Sequence, residues 1–255
     1  MSAVLQAKGI GKKFGAVVAA ADIHIDIHPG ERVSLIGSNG AGKTTFVNMV
    51  TGYLKPDAGQ MLLGGQDITA LDPRAITRLG VARAFQIPQL FGELTVLDNM
   101  LIAQAAHAGR PSLWRRAHDP EAVMRADELL ERFQLQPHRL RRTAELPGGV
   151  RKLLDMAMSL TARPKLLLLD EPTSAVAADE KFPMMERAMS AIEHDRHTPV
   201  LFVEHDLDIV RWYATRVIAF YNGRILADGD PVRVLASADV RRFVTGELPK
   251  ESSHA

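Results

Sequence analysis

The sequence predicts an α/β fold built on a largely parallel sheet, and three observations carry that prediction. Short apolar runs of β character, among them Val33–Ile36, Leu166–Leu169 and Val200–Val203, alternate with helical patterns. Leu166–Leu169 is apolar at every position, as a strand covered on both faces is. The balance of 46% hydrophobic and 24% charged residues over 255 positions is that of an ordinary globular protein with one large domain or two small ones. It excludes a disordered or collagen-like chain.

In chain order, His24–Ile27 alternates polar and apolar residues and stops at Pro29-Gly30. Val33–Ile36 reads as a short buried strand, followed by a glycine-rich turn and a helix from Lys43 to about Tyr53. Lys55-Pro56-Asp57-Ala58-Gly59 is a turn signal, with strands expected at Met61–Leu63 and Val81–Phe85. From about Ile87 to Leu160 the pattern is mostly helical: Thr95 can cap one helix, and Pro120 can sit near the start of another. Breaker-rich residues 108–120, with Arg110, Arg115 and Arg116 around Trp114, read as a loop inside that stretch. Strand and helix then alternate again through Leu166–Leu169, Glu180–Glu193, Val200–Val203 and Asp206–Tyr213. Val217–Tyr221 and Arg224–Ala227 flank Asn222-Gly223, a pair suited to a two-residue hairpin turn with positive φ.

Composition also excludes function classes. Thirty-one basic residues face 30 acidic ones, which argues against a chain whose main task is gripping nucleic acid. With no cysteine there is no disulfide, thiol catalysis or zinc–thiolate site. The first residues lack the apolar stretch of a signal peptide, and no apolar run approaches the ~20 residues needed to cross a bilayer. Membrane contact is therefore expected only through a partner.

The strongest motif is Gly37-Ser38-Asn39-Gly40-Ala41-Gly42-Lys43-Thr44, which fits G-x-x-x-x-G-K-[ST] between a buried strand and a helix. Glycines let backbone N–H groups converge on phosphate oxygens, and the following helix adds the positive end of its dipole. Lys43 can reach the β- and γ-phosphates, and the Thr44 hydroxyl can ligate Mg²⁺. The second motif is Leu166–Leu169 followed by Asp170-Glu171. It sets a carboxylate at the C-terminal end of a parallel strand, where Asp170 would serve Mg²⁺ and Glu171 would polarise a water for in-line attack.

With these residues the chain resembles an ATP-binding cassette of the ABC transporter superfamily, over about residues 4 to 246. The resemblance implies a P-loop NTPase core with a mostly parallel sheet, an N-terminal antiparallel β subdomain and an inserted helical subdomain at 87–160. All would belong to one cassette domain spanning 1–255. It implies ATP and Mg²⁺ as cofactors, with phosphates held by residues 37–45, Thr45 included. Phe14 would stack on adenine. Gln86 would sense Mg²⁺ and the attacking water, and His205 would contact the γ-phosphate. Catalysis would thus rest on Glu171, His205, Gln86 and Lys43, and the metal on Thr44, Gln86 and Asp170. Gly80–Gln86, Leu90–Val96 and Val203–Val210 look like the branched-chain amino acid importer cassettes.

Two departures from the family pattern stand out. The signature Leu-Ser-Gly-Gly-Gln reads Leu146-Pro147-Gly148-Gly149-Val150, and proline has neither hydroxyl nor N–H to offer a phosphate. Gly148 and Gly149 still present N–H groups at a helix start. Where the family continues Ser-Gly-Leu-Asp, this chain has Ser174-Ala175-Val176-Ala177. The resemblance implies transmembrane permease subunits and a second cassette as partners, a heterodimer being the expected form. A solute-binding protein would be an indirect partner, and the location would be the cytoplasmic face of the inner membrane. Two other readings stay open: a structural or regulatory cassette with low hydrolysis, and a soluble ABC-type ATPase outside transport.

Overall fold

The computed structural model describes residues 2–107, 119–195 and 197–246. They form two units: one runs up to Ile76 and resumes at Leu201, and the other spans Thr77–Val200. The expected insert at 87–160 falls inside the second unit, and the 108–118 part of the expected arginine-rich loop lies outside the described residues.

The first unit opens with β1 (Leu5–Phe14) and β2 (Val17–Ile27), an antiparallel pair closing at Phe14 opposite Val17. Leu5, Ala7 and Ile10 on β1 and Ile23, Ile25 and Ile27 on β2 are buried. Each of these Leu and Ile side chains removed from water is worth about 1.5–3 kcal/mol before entropy is counted. β3 (Arg32–Ile36) leads through the glycine-rich loop into α1 (Lys43–Val50). This helix stops before Tyr53, because Gly52, just past the cap residue Thr51, adopts the left-handed φ of 77° that ends many helices. β4 (Ala58–Leu63) and β5 (Gln66–Asp67) complete an antiparallel sheet in the order β2-β1-β4-β5, the N-terminal β layer expected from the resemblance. The boundary between the units falls within α2 (Pro73–Leu79), which periodicity did not indicate.

In the second unit, β6 (Val81–Ala84) pairs in parallel with β7 (Leu166–Asp170), Val81 opposite Leu166 and Ala84 opposite Leu169. Between them in sequence lie α3 (Val96–His107), α4 (Pro120–Arg132) and α5 (Gly148–Leu160); α6 (Ala178–Glu193) follows β7. Thr95 caps α3 through its hydroxyl to the Asp98 N–H, and Asp98 returns a bond to the Thr95 N–H, a reciprocal capping box. Asp119 caps α4, with Pro120 in the first turn where a missing N–H costs nothing. Phe133, Leu130, Leu154 and Ala157 are fully buried.

The chain returns to the first unit through β8 (Val200–Val203), α7 (Leu207–Tyr213), β9 (Arg216–Tyr221), β10 (Arg224–Gly229) and α8 (Pro231–Ala236). β3 runs parallel to β9, and β10 folds back antiparallel through Asn222 (φ 47°) and Gly223 (φ 73°). The sheet is therefore mixed, with a hairpin at one edge. Ile36, Val210, Val217, Ala219, Val234 and Leu235 form the core beside it. Among the described residues, no helix is long and apolar enough to cross a membrane.

Candidate functional site

In the first unit, the buried strand β3 delivers the chain into residues 37–45. The backbone there takes conformations that only glycine holds without strain: Gly40 has φ 80° and Gly42 has φ 111°. A methyl group at Gly42 would lie 2.5 Å from the Ala19 carbonyl oxygen, and one at Gly37 would lie 2.6 Å from that of Phe220. The loop is thus moulded against β2 and β9. Lys43 begins α1, is only 5% exposed, and its ammonium donates to the carbonyls of Gly37 (2.6 Å) and Ser38 (3.2 Å). A buried ammonium needs such acceptors. Held this way, it sits inside a ring of backbone whose exposed members are Ser38, Asn39 and Gly40. Ala41 is buried, the Thr44 side chain is exposed, and Thr45 is half-buried.

Two further residues of this unit were expected at the nucleotide. Phe14 stands at the end of β1, 51% exposed, with the Lys12 ammonium 5.7 Å from its ring centre. That exposure excludes a core-packing role for the ring. His205 follows β8 and is exposed. Its turn is built by Glu204, a buried carboxylate that accepts from the N–H groups of His205 (2.8 Å) and Asp206 (3.2 Å). Sequence reading passed over Glu204; its position between an apolar strand and a capping Asp206 was the available signal.

The second unit brings together Gln86, Asp170 and Glu171. The Gln86 side-chain amide donates to the Glu171 carboxylate at 2.5 Å. Glu171 has φ 48°, a left-handed conformation unfavourable for a residue with a side chain. Asp170 is paired with Arg83 of β6. Lys152 of α5 donates to the Glu171 carbonyl (2.9 Å) and to the Ser174 hydroxyl (2.8 Å). Asp155, also on α5, accepts from the N–H groups of Phe85 (2.9 Å) and Gln89 (3.3 Å). Burial pushes the Asp155 carboxyl up to about 6, against the pull of those two N–H bonds and of Lys152. Arg83, Lys152 and Asp155 were not singled out from the sequence, although Lys152 and Asp155 stand three apart in one helix.

The residues fit a phosphate ligand: a glycine cradle in which an added methyl would clash, with a lysine ammonium inside it. Thr44, Gln86 and Asp170 all offer oxygen, the ligand type that Mg²⁺ takes.

Comparison with known proteins decides the family. The ABC transporter family matches residues 20–174. The chain belongs to the ABC transporter family. It is 35% identical over 253 residues to the high-affinity branched-chain amino acid transport ATP-binding protein LivG of Escherichia coli, covering 96% of this chain and 98% of that protein. It is 34% identical to the probable branched-chain amino acid transport ATP-binding protein LivG of Archaeoglobus fulgidus, with 97% of each chain covered. The crystal structure of an ABC transporter cassette in its ADP conformation superposes with a TM-score of 0.85 at 31% identity, covering 97% of this chain and 100% of that one. A nucleotide-free ABC transporter cassette gives 0.81 at 31% identity, covering 93% and 97%.

Within this ABC transporter chain the two departures have local structural correlates. Pro147 is the N-cap residue of α5 and makes no side-chain capping bond. Pro147 and Gly148 are exposed, and Gly149 and Val150 are half-buried. Ala177 is the N-cap residue of α6, again without a side-chain capping bond. Ala175, where the family has glycine, holds φ 58°. Both helices thus begin without a side-chain cap, and Ala175 puts a methyl group at a left-handed position.

Proposed function

We propose that this chain is the ATP-binding and ATP-hydrolysing subunit of a membrane importer for branched-chain amino acids or related small solutes. The single observation that carries the reading is the phosphate loop, whose glycine conformations and inward-turned Lys43 suit a polyphosphate and little else. The two relatives named above, both branched-chain amino acid transport ATP-binding proteins covered over nearly their full length, supply the solute class.

In this reading residues 37–45 bind the phosphates, Lys43 neutralises the β- and γ-groups, and Phe14 stacks on the base. Gly148 and Gly149 present N–H groups to a nucleotide held by a second cassette. Thr44, Gln86 and Asp170 would hold Mg²⁺, which would supply charge neutralisation on the phosphates. Glu171 accepts a proton from the attacking water, Gln86 orients Glu171 through its amide, and His205 faces the transferred phosphate. Residues 87–160 act as the helical subdomain that carries the signature. The chain sits at the cytoplasmic face of the membrane through permease subunits.

The altered signature favours a heterodimer. Paired with a cassette that keeps Ser and Gln, this chain's own phosphate loop and Glu171 complete one full site. Pro147 and Val150 would leave the other site short of donors worth about 1.5–3 kcal/mol each toward charged acceptors. The same substitutions support a second reading, a cassette that binds ATP and turns it over slowly.

The test uses two variants. Lys43→Ala should lose most ATP affinity by calorimetry. Glu171→Gln should bind ATP normally and lower hydrolysis by about 10²-fold or more. Unchanged affinity in the first, or near-normal turnover in the second, overturns the assignment. Slow turnover even beside an intact partner cassette would favour the second reading.

A further inference from the structure

Helix α5 buries two charged side chains on an otherwise apolar stretch: Lys152 is 7% exposed and Asp155 is 6% exposed, beside Leu153, Leu154, Met156 and Ala157. Residues three apart share a helix face. Burying two ionisable groups is costly unless each is bonded, so the bonds they make indicate what they do.

Lys152 grips the turn after β7. Its ammonium holds the carbonyl of Glu171 itself and the hydroxyl of Ser174, spanning a turn in which Glu171 is in the left-handed region. Such a conformation persists only where surrounding contacts determine it. Asp155 grips the segment after β6. Its two oxygens take the N–H groups of Phe85 and Gln89, which bracket Gln86 on either side. The Gln86 amide then bonds the Glu171 carboxylate, closing a ring of contacts that starts and ends on α5.

We propose that Lys152 and Asp155 are positioning residues for hydrolysis, a two-armed clamp on α5 that holds Glu171 and Gln86 in register with each other. Each acts through the residue it fixes, by bonds to Glu171 and Ser174 on one side and to Phe85 and Gln89 on the other. The clamp rests on the reading of Glu171 as the base. It also ties the helix that begins at the signature glycines to both of those residues.

The experiment measures single-turnover ATP hydrolysis and ATP affinity for the full chain and its variants. Lys152→Met and Asp155→Asn should each lower the rate by about tenfold or more with affinity within about twofold, because the phosphate loop is untouched. Lys152→Arg, which keeps the cation, should recover most of the rate. In a Glu171→Gln background, Lys152→Met should cost nothing further, since residues acting as a unit are not additive. Amide hydrogen exchange at Phe85 and Gln89 in Asp155→Ala should quicken by about tenfold or more, independently of activity. Rates within twofold of the parent in folded Lys152→Met and Asp155→Asn overturn the clamp even if Glu171→Gln abolishes hydrolysis. Additive losses in the Glu171→Gln background, or unchanged exchange at Phe85 and Gln89, also overturn it. Normal turnover in Glu171→Gln would instead overturn the reading of the base, with quickened exchange still supporting the clamp.

Discussion

Helix α1 starts from Gly42 in a left-handed conformation, packed so closely on the Ala19 carbonyl that no side chain fits. Helices α5 and α6 start from Pro147 and Ala177, at ordinary φ of −55° and −59°, which most residues can adopt. At α1 the backbone itself is the functional group, and its shape dictates the residue. At α5 and α6 the backbone only presents a side chain, so a substitution can remove the chemistry and leave the fold. This is the physical reason that the phosphate loop keeps every expected residue while Pro147 and Ala177 can stand where the family has serine and aspartate; Ala175, at φ 58°, is a departure that this reason does not cover.

The largest expected break falls on α1. Gly42→Ala should cost about 3 kcal/mol or more of stability, or abolish ATP binding in whatever remains folded, because both φ and the Ala19 contact oppose a methyl. Urea denaturation with calorimetry on the variant checks this, and a mild effect would mean that the loop has slack.

Asp155 gives the next effect, and its sign distinguishes functional burial from stabilising burial. Its carboxyl is raised from 3.8 to about 6, chiefly by desolvation. The folded chain therefore binds more protons than the unfolded chain between those values, and stability contributed at this group falls as pH rises from 4 to 6. The difference is (6 − 3.8) at ~1.4 kcal/mol per unit, of the order of 3 kcal/mol lost by neutral pH. Asp155→Asn should gain stability relative to the parent over that window by up to this amount, less about 1 kcal/mol for a lost acceptor. A variant that is stabler at pH 8 yet slower in hydrolysis is the expected outcome of denaturation and turnover measured together.

At α5, Pro147→Ser with Val150→Gln restores donors without moving the backbone. Hydrolysis at the partner's site should rise by about tenfold, measured in heterodimers whose own site is silenced by Glu171→Gln. No gain would mean that the Gly148 and Gly149 N–H groups and the helix dipole suffice. The smallest effect is expected at α6: Ala177→Asp supplies the missing N-cap acceptor and should raise stability by about 1 kcal/mol in thermal unfolding. The same change at an already capped helix, such as α4 with Asp119, has nothing to add.

Legibility in the sequence followed how local each feature is. The phosphate loop, the β7 strand ending in Asp170-Glu171, and the Asn222-Gly223 hairpin are each written in a few consecutive residues. The capping box of Thr95 with Asp98 is equally local. β1 and most of β2 were harder, because register shifts between Ala7 and Lys13 break the strict alternation that marks a strand. α1 ended before Tyr53 at Gly52, whose φ of 77° makes it the left-handed residue just past the helix, a local stop signal that the apolar pattern through Tyr53 overran. Asp155 and Lys152 looked like ordinary polar positions of a helix until the bonds to Phe85, Gln89, Glu171 and Ser174 were seen.

By itself, the sequence determined the α/β class, the phosphate loop with Lys43 and Thr44, the acidic pair Asp170 and Glu171, and the altered signature at Pro147 and Val150. Each depends on residue type at fixed short spacing, which the chain carries whatever it folds against. Only the tertiary structure decided that the Gln86 amide meets the Glu171 carboxylate and that Asp170 pairs with Arg83. It alone decided that α5 reaches both Glu171 and the Gln86 segment through Lys152 and Asp155. Those contacts join residues about 20 to 90 positions apart along the chain. Hydrogen bonds act over about 3 Å, and no spacing rule in a single sequence reports which distant groups come that close.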